Sequence, residues 1–160
     1  MDGDTSEDVD FHFSGAWCDL ILRLGAHRHA FRTPGVNDPF AELAEAVATL
    51  ARPASGPSLR AVLWGDEPGG VFLDFGWAPA DHLALVVHAV AIRSWITAPN
   101  WMPMRGEAVA GYVAPRRTFA GAFLRGFEAV GAAAGPDGSI AGWPHPFPAG
   151  AVGRLRAALG

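Results

Sequence analysis

Alternating apolar and polar residues open the chain. Phe11 and Phe13 alternate with Asp10 and His12, which predicts a strand over 9–14. Ser14, Gly15 and Ala16 turn the chain, and 17–24 continues as a second strand, with Leu20, Leu22 and Leu24 on one face and Asp19, Ile21 and Arg23 on the other. A Gly25-Ala26 turn predicts a return strand over 27–32. A two-residue turn sets Leu24 against His27, Leu22 against His29 and Asp19 against Arg32, the last a favourable cross-strand ion pair.

The period then changes. Phe40, Leu43, Val47 and Leu50 recur at helical spacing behind a capping Asn37 or Asp38 and a first-turn Pro39, and Arg52-Pro53 stops the run. These signals predict a helix over 39–51. After the breaker-rich 53–57 come strands over 58–64 and 71–77, joined by the turn Gly65-Asp66-Glu67-Pro68-Gly69-Gly70. The run 82–92 is apolar on both faces, as in a central strand covered on both sides. Residues 94–113 show no clean period. Phe119, Phe123, Phe127 and Val130 then predict a helix over 115–134, although Gly121 and Gly126 each weaken it by about 1 kcal/mol relative to alanine. A short last helix over 151–159 would carry Val152, Leu155 and Leu159.

The predicted fold class is α+β: one antiparallel sheet of about six strands in βββ-α-βββ-α order with the helices packed on it. The two similar halves raise a duplicated topology.

Composition narrows the class. The 160 residues are 50% hydrophobic and 18% charged, which suits one packed domain and excludes a disordered chain. Five of the 16 acidic residues lie in the first ten positions, and the remaining 11 face 12 arginines. The expected organisation is a disordered acidic tail over 1–8 and a single domain over 9–160. A near-neutral body lacks the basic surface that sequence-independent nucleic-acid binding needs. No lysine is present, so Schiff-base and P-loop lysine chemistry are excluded. One cysteine, Cys18, permits no internal disulfide. With no apolar run of membrane-spanning length and no leader pattern, the expectation is a cytoplasmic protein without membrane or nucleic-acid partners.

Candidate chemistry is sparse. His27 and His29 form an H-x-H pair that shares one face of a strand, so both imidazoles could reach one metal ion. No third ligand lies nearby, and His12, His82, His88 and Cys18 cannot be placed. The default is a pair of hydrogen-bonded structural histidines with no metal and no cofactor. Asp66 and Glu67 are explained by turn chemistry. Cys18 on an apolar strand face reads as an inert buried thiol. Arg116 and Arg117 open a helix, where positive charge opposes the dipole. A bound anion would relieve that conflict, with Arg105 as a third member of the site.

Trp95, Trp101, Met102 and Met104, in a stretch stiffened by Pro99 and Pro103, form the interface candidate, because such residues supply large contact area. Folding of that stretch over the sheet as core is the competing reading.

The segment WGDEPGGVFL at 64–73, following the capped Pro-Phe helix, resembles a loose group of uncharacterised bacterial small α+β proteins with a W-x-D-E-P-G hairpin between strands. The resemblance covers the middle half of the chain and implies no particular activity. Small α+β proteins of this build also occur among immunity proteins of bacterial toxin systems, a likeness of fold only. The expected function is a non-catalytic interaction module that self-associates (as a homodimer, for example) or caps another bacterial protein. The alternative is a small anionic-ligand or hydrolytic site built from histidine and arginine.

Overall fold

The computed structural model describes residues 7–56, 58–65, 70–91 and 104–160. Three strands come first: β1 (Asp8–Ser14), β2 (Trp17–Leu24) and β3 (His27–Pro34). Helix α1 (Pro39–Leu50) follows, then β4 (Leu59–Trp64), β5 (Val71–Ala78), β6 (His82–Ala91) and β7 (Met104–Pro115). Helices α2 (Arg116–Ala133) and α3 (Ala149–Leu159) end the chain. The fold class is α+β, but the single six-stranded sheet is corrected to two antiparallel sheets, β1-β2-β3 and β4-β5-β6-β7.

Two physical reasons account for the difference. The first is the junction between β3 and β4. No backbone ladder joins them. Instead the Trp64 indole donates to the Phe31 carbonyl at 3.0 Å, and the Thr33 hydroxyl donates to the Gly65 carbonyl at 3.4 Å. The second is β7, hidden in the segment without a period. Its inward positions mix small Ala110 and Ala114 with Tyr112, while Val109 and Val113 are exposed. Register shifts between Val87 and Val90 break the alternation further.

The expected β2–β3 register holds. Leu24 lies opposite His27, Leu22 opposite His29, and Asp19 opposite Arg32 with an N–O separation of 3.4 Å. Asp8 opens β1, and the Glu7 backbone carbonyl accepts from Arg125 at 2.9 Å; residues 1–6 of the expected tail lie outside the described residues.

The core sits between the apolar faces of the two sheets and the helices. Asp38 caps α1 by accepting from the Ala41 amide, with Pro39 at the first position. Phe40 from α1 meets Phe11, Phe13 and Phe127 at centroid distances of 4.9–5.5 Å. On α2 the phenylalanine stripe is fully buried: Phe127 stacks on Phe11 of the first sheet, while Phe119 and Phe123 meet Phe75 of the second edge-on. One helix stripe thus binds both sheets. Helix α3 adds Val152 and Leu155.

Strand β6 is an inner strand of its sheet, and among the described residues elements pack against only one of its faces. Leu83, Leu85 and Val87 are buried, whereas Val86 on the opposite face is exposed.

Candidate functional site

Two surfaces carry the candidate chemistry. The first is a cleft where the tip of the β2–β3 hairpin meets β6 and β7. Leu22, Leu24, His27 and His29 line one side, and Leu85, Val87, Ala110, Gly111 and Tyr112 the other. The enclosed space is about 20 Å³ and opens to solvent. The two imidazoles stand side by side on β3, centroids 6.3 Å apart and planes 27° apart, and His29 stacks on Phe31 at 6.1 Å.

Among the described residues neither His27 nor His29 has a hydrogen-bond partner. By contrast His82 engages the Ala80 carbonyl, His88 the Gly106 carbonyl and His145 the Gly35 carbonyl. Both rings line the cleft, His27 exposed and His29 half-buried.

Tyr112 closes the cleft from β7. Its hydroxyl donates to the Glu7 carboxylate. Burial, then the Glu7 hydrogen bond and charge, push the phenol well above its ordinary value of 10.0, so it stays protonated. No group of three or more His, Cys, Asp or Glu side chains that could hold a metal ion occurs among the described residues.

The arginines do not converge on an anion. Arg116 is 6% exposed and pairs with Asp81 of the β5–β6 turn, Nε to Oδ1 at 2.7 Å and Nη2 to Oδ2 at 3.3 Å. It also donates to the Ala51 carbonyl at the end of α1. The carboxylate that relieves the unfavourable helix start is therefore the chain's own. Arg117 donates to the Leu159 carbonyl in the last turn of α3, where helix polarity favours a cation. Arg105 belongs elsewhere, on β7, bound bidentately to Asp74 with both N–O distances at 2.7 Å. None of the three lines the histidine cleft.

The second surface is the outer face of the four-stranded sheet. Leu59 (65% exposed), Leu63, Val86 and Val113 (57% exposed) lie on it. Cross-strand pairing joins Leu63 to Phe72, Phe72 to His88, and Asp74 to both Ala61 and Val86. Asp74 is only 8% exposed. Arg105 neutralises it and lays its guanidinium 4.7 Å above the Phe72 ring. His88 completes the cluster, Nε2 at 3.7 Å from Asp74. Its Nδ1 faces the Gly106 carbonyl, which can only accept, so Nδ1 carries the proton. Sequence reasoning missed this cluster because Asp74 and Arg105 are 31 positions apart and only the β5–β6–β7 order brings them together.

Met104 begins β7 and is exposed at 40%. Trp95, Trp101 and Met102 lie outside the described residues, as do Asp66 and Glu67. No helix among the described residues is long and apolar enough to cross a membrane. Comparison with protein-family models, curated proteins and solved structures finds no match.

Proposed function

We propose that the protein is a non-catalytic interaction module that self-associates through the outer face of the β4–β7 sheet. The observation that carries this reading is the row of exposed aliphatic side chains Leu59, Leu63, Val86 and Val113 on one face of the four-stranded sheet. Antiparallel sheets with one solvated face normally alternate apolar and polar residues. This sheet has aliphatic residues on both faces of β4, β6 and β7.

The occupant of the face is a second copy of the chain. A surface that meets its own image must carry no net charge, since like charges would be brought together. The charged pair on this face, Asp74 and Arg105, cancels internally. The face spans about 20 Å by 20 Å, from four strands about 4.8 Å apart. That is small for a stable interface, so the expected dimer is weak, micromolar or weaker. Met104 pairs with Ala91, one position from the Arg105–Val90 pair on the outer face, and so belongs to the opposite face of the sheet.

Sedimentation velocity over a concentration series tests the reading. The wild type should show concentration-dependent dimerisation. Val86→Arg and Val113→Arg should stay monomeric with unchanged circular dichroism. A wild type that remains monomeric up to about millimolar concentration, or one whose association both arginine variants leave intact, overturns it.

A further inference from the structure

We propose that the outer edge of β7 pairs with the β7 edge of a second copy, joining two four-stranded sheets into one continuous antiparallel sheet across a two-fold axis. The inference rests on the self-association proposed above and adds a second contact to it. Copies already paired through their outer faces assemble further through their edges.

The ladder defines that edge. The Arg116 amide donates to the Asp81 carbonyl at 2.8 Å, in the same register that sets Ala114 opposite Leu83, Tyr112 opposite Leu85 and Ala110 opposite Val87. Hydrogen bonding in an antiparallel pair alternates along the strand. Ala110, Tyr112 and Ala114 therefore turn their N–H and C=O groups to β6, and Gly111 and Val113 turn theirs away. Strand β7 ends the sheet order, and among the described residues no backbone group bonds to that side. Natural edges are guarded by charge, proline or a bulge. The run Ala-Gly-Tyr-Val-Ala at 110–114 contains none of these. The guards stand at its two ends instead. A register shift between Val87 and His88 leaves Val109 as a bulge, and Pro115 has no N–H to offer.

The occupant is a second copy, because the run is complementary to itself. A two-fold axis through Tyr112 sets Gly111 opposite the partner's Val113 and Ala110 opposite the partner's Ala114. Each Gly111–Val113 pair then exchanges two backbone hydrogen bonds. On the outer face nothing lies within 4 Å of where a Gly111 Cβ would stand, which leaves room for the partner's Val113, a side chain 57% exposed. On the inner face the alanines are small, and the two Tyr112 rings form an aromatic cross-strand pair. Sliding the register by two residues moves the pairing onto the bulge at Val109 or onto Pro115, and either shift loses hydrogen bonds.

So short an edge does not by itself offset the freedom lost on association. A face-paired dimer presents two β7 edges, so joining two such dimers makes both edge contacts in one event. The product is a closed tetramer of two continuous sheets packed face to face.

Sedimentation velocity of the full chain up to about millimolar concentration, with amide exchange followed by NMR, tests the contact. The wild type should pass from dimer to tetramer. Gly111→Pro and Val113→Pro each remove an outward N–H and leave the β6 ladder intact, so both should stop at the dimer with unchanged circular dichroism. In the wild-type tetramer the Gly111 and Val113 amides should exchange about tenfold or more slowly than in the dimer, while those of Ala110, Tyr112 and Ala114 keep their rates. A wild type that stops at the dimer overturns the edge contact alone, and one that stays monomeric overturns the face contact beneath it as well. Tetramer formation by both proline variants, or Gly111 and Val113 amides already protected in the monomer, also overturns the proposal.

Discussion

Gly126 of α2 and Val9 of β1 meet backbone to backbone. A Cβ built on Gly126 would stand 2.5 Å from the Val9 carbonyl oxygen and 3.2 Å from the Phe11 ring. That approach lets Phe127 stack on Phe11 at 5.2 Å. In an ordinary helix interior, glycine to alanine is worth about 1 kcal/mol of stabilisation. Gly126→Ala should reverse that sign, because neither backbone can yield without moving the helix off the strand, and should destabilise by about 1–3 kcal/mol. At Gly121 the nearest atom is the far end of Arg125 at 3.6 Å. Gly121→Ala should therefore stabilise by up to about 1 kcal/mol. Urea denaturation of the two variants decides it, and equal effects would contradict the packing.

Removing the Arg116 guanidinium should loosen the junction of α1, α2 and the β5–β6 turn. It leaves the Ala51 carbonyl without its donor and Asp81 without its partner. Arg116→Ala should lose about 2 kcal/mol, the scale of a charge-assisted hydrogen bond together with an unsatisfied buried carbonyl. Arg117→Ala, at an exposed site, should cost about 0.5 kcal/mol or less. Chemical denaturation of both measures the contrast.

Stability should fall in acid through Asp81. The Arg116 hydrogen bond holds its carboxyl below the ordinary value of 3.8. A lowered carboxyl contributes stability that is present above about pH 4 and lost as pH drops through the folded value. Asp81→Asn, which keeps a residue tolerant of the positive φ of 57°, should flatten that acid limb in a melting series between pH 5 and 2.5. An unchanged limb would remove Asp81 from the account.

The alkaline side should report Tyr112 and Cys18. Both are raised, chiefly by burial, above ordinary values of 10.0 and 9.0. A raised acid contributes stability below its unfolded value and loses it as pH climbs beyond. Stability should therefore decline from about pH 9 upward, and Tyr112→Phe should make that decline shallower while costing about 1 kcal/mol at neutral pH. The Cys18 thiol, fully buried, should react with a disulfide reagent only as fast as the chain opens. Rapid labelling of the native protein would contradict its burial.

Local sequence signals determined the strands β1 to β6, the β2–β3 register, a cap at Asn37 or Asp38 and the phenylalanine stripe of α2, and the structure selects Asp38. Those features follow from local chemistry: an apolar face must repeat with the period of its backbone, and turns demand particular residues. Residues 104–115 escaped because inward alanines and a bulge erase the alternation, so β7 exists by virtue of its pairing with β6. Only the tertiary structure split the strands into two sheets, handed Arg116 to Asp81 and Arg105 to Asp74, and left His27 and His29 unengaged beside a cleft. Each of these depends on residues distant in sequence becoming neighbours. The free energy that brings them together is burial of the shared core, which is indifferent to the identity of the polar groups carried along with it.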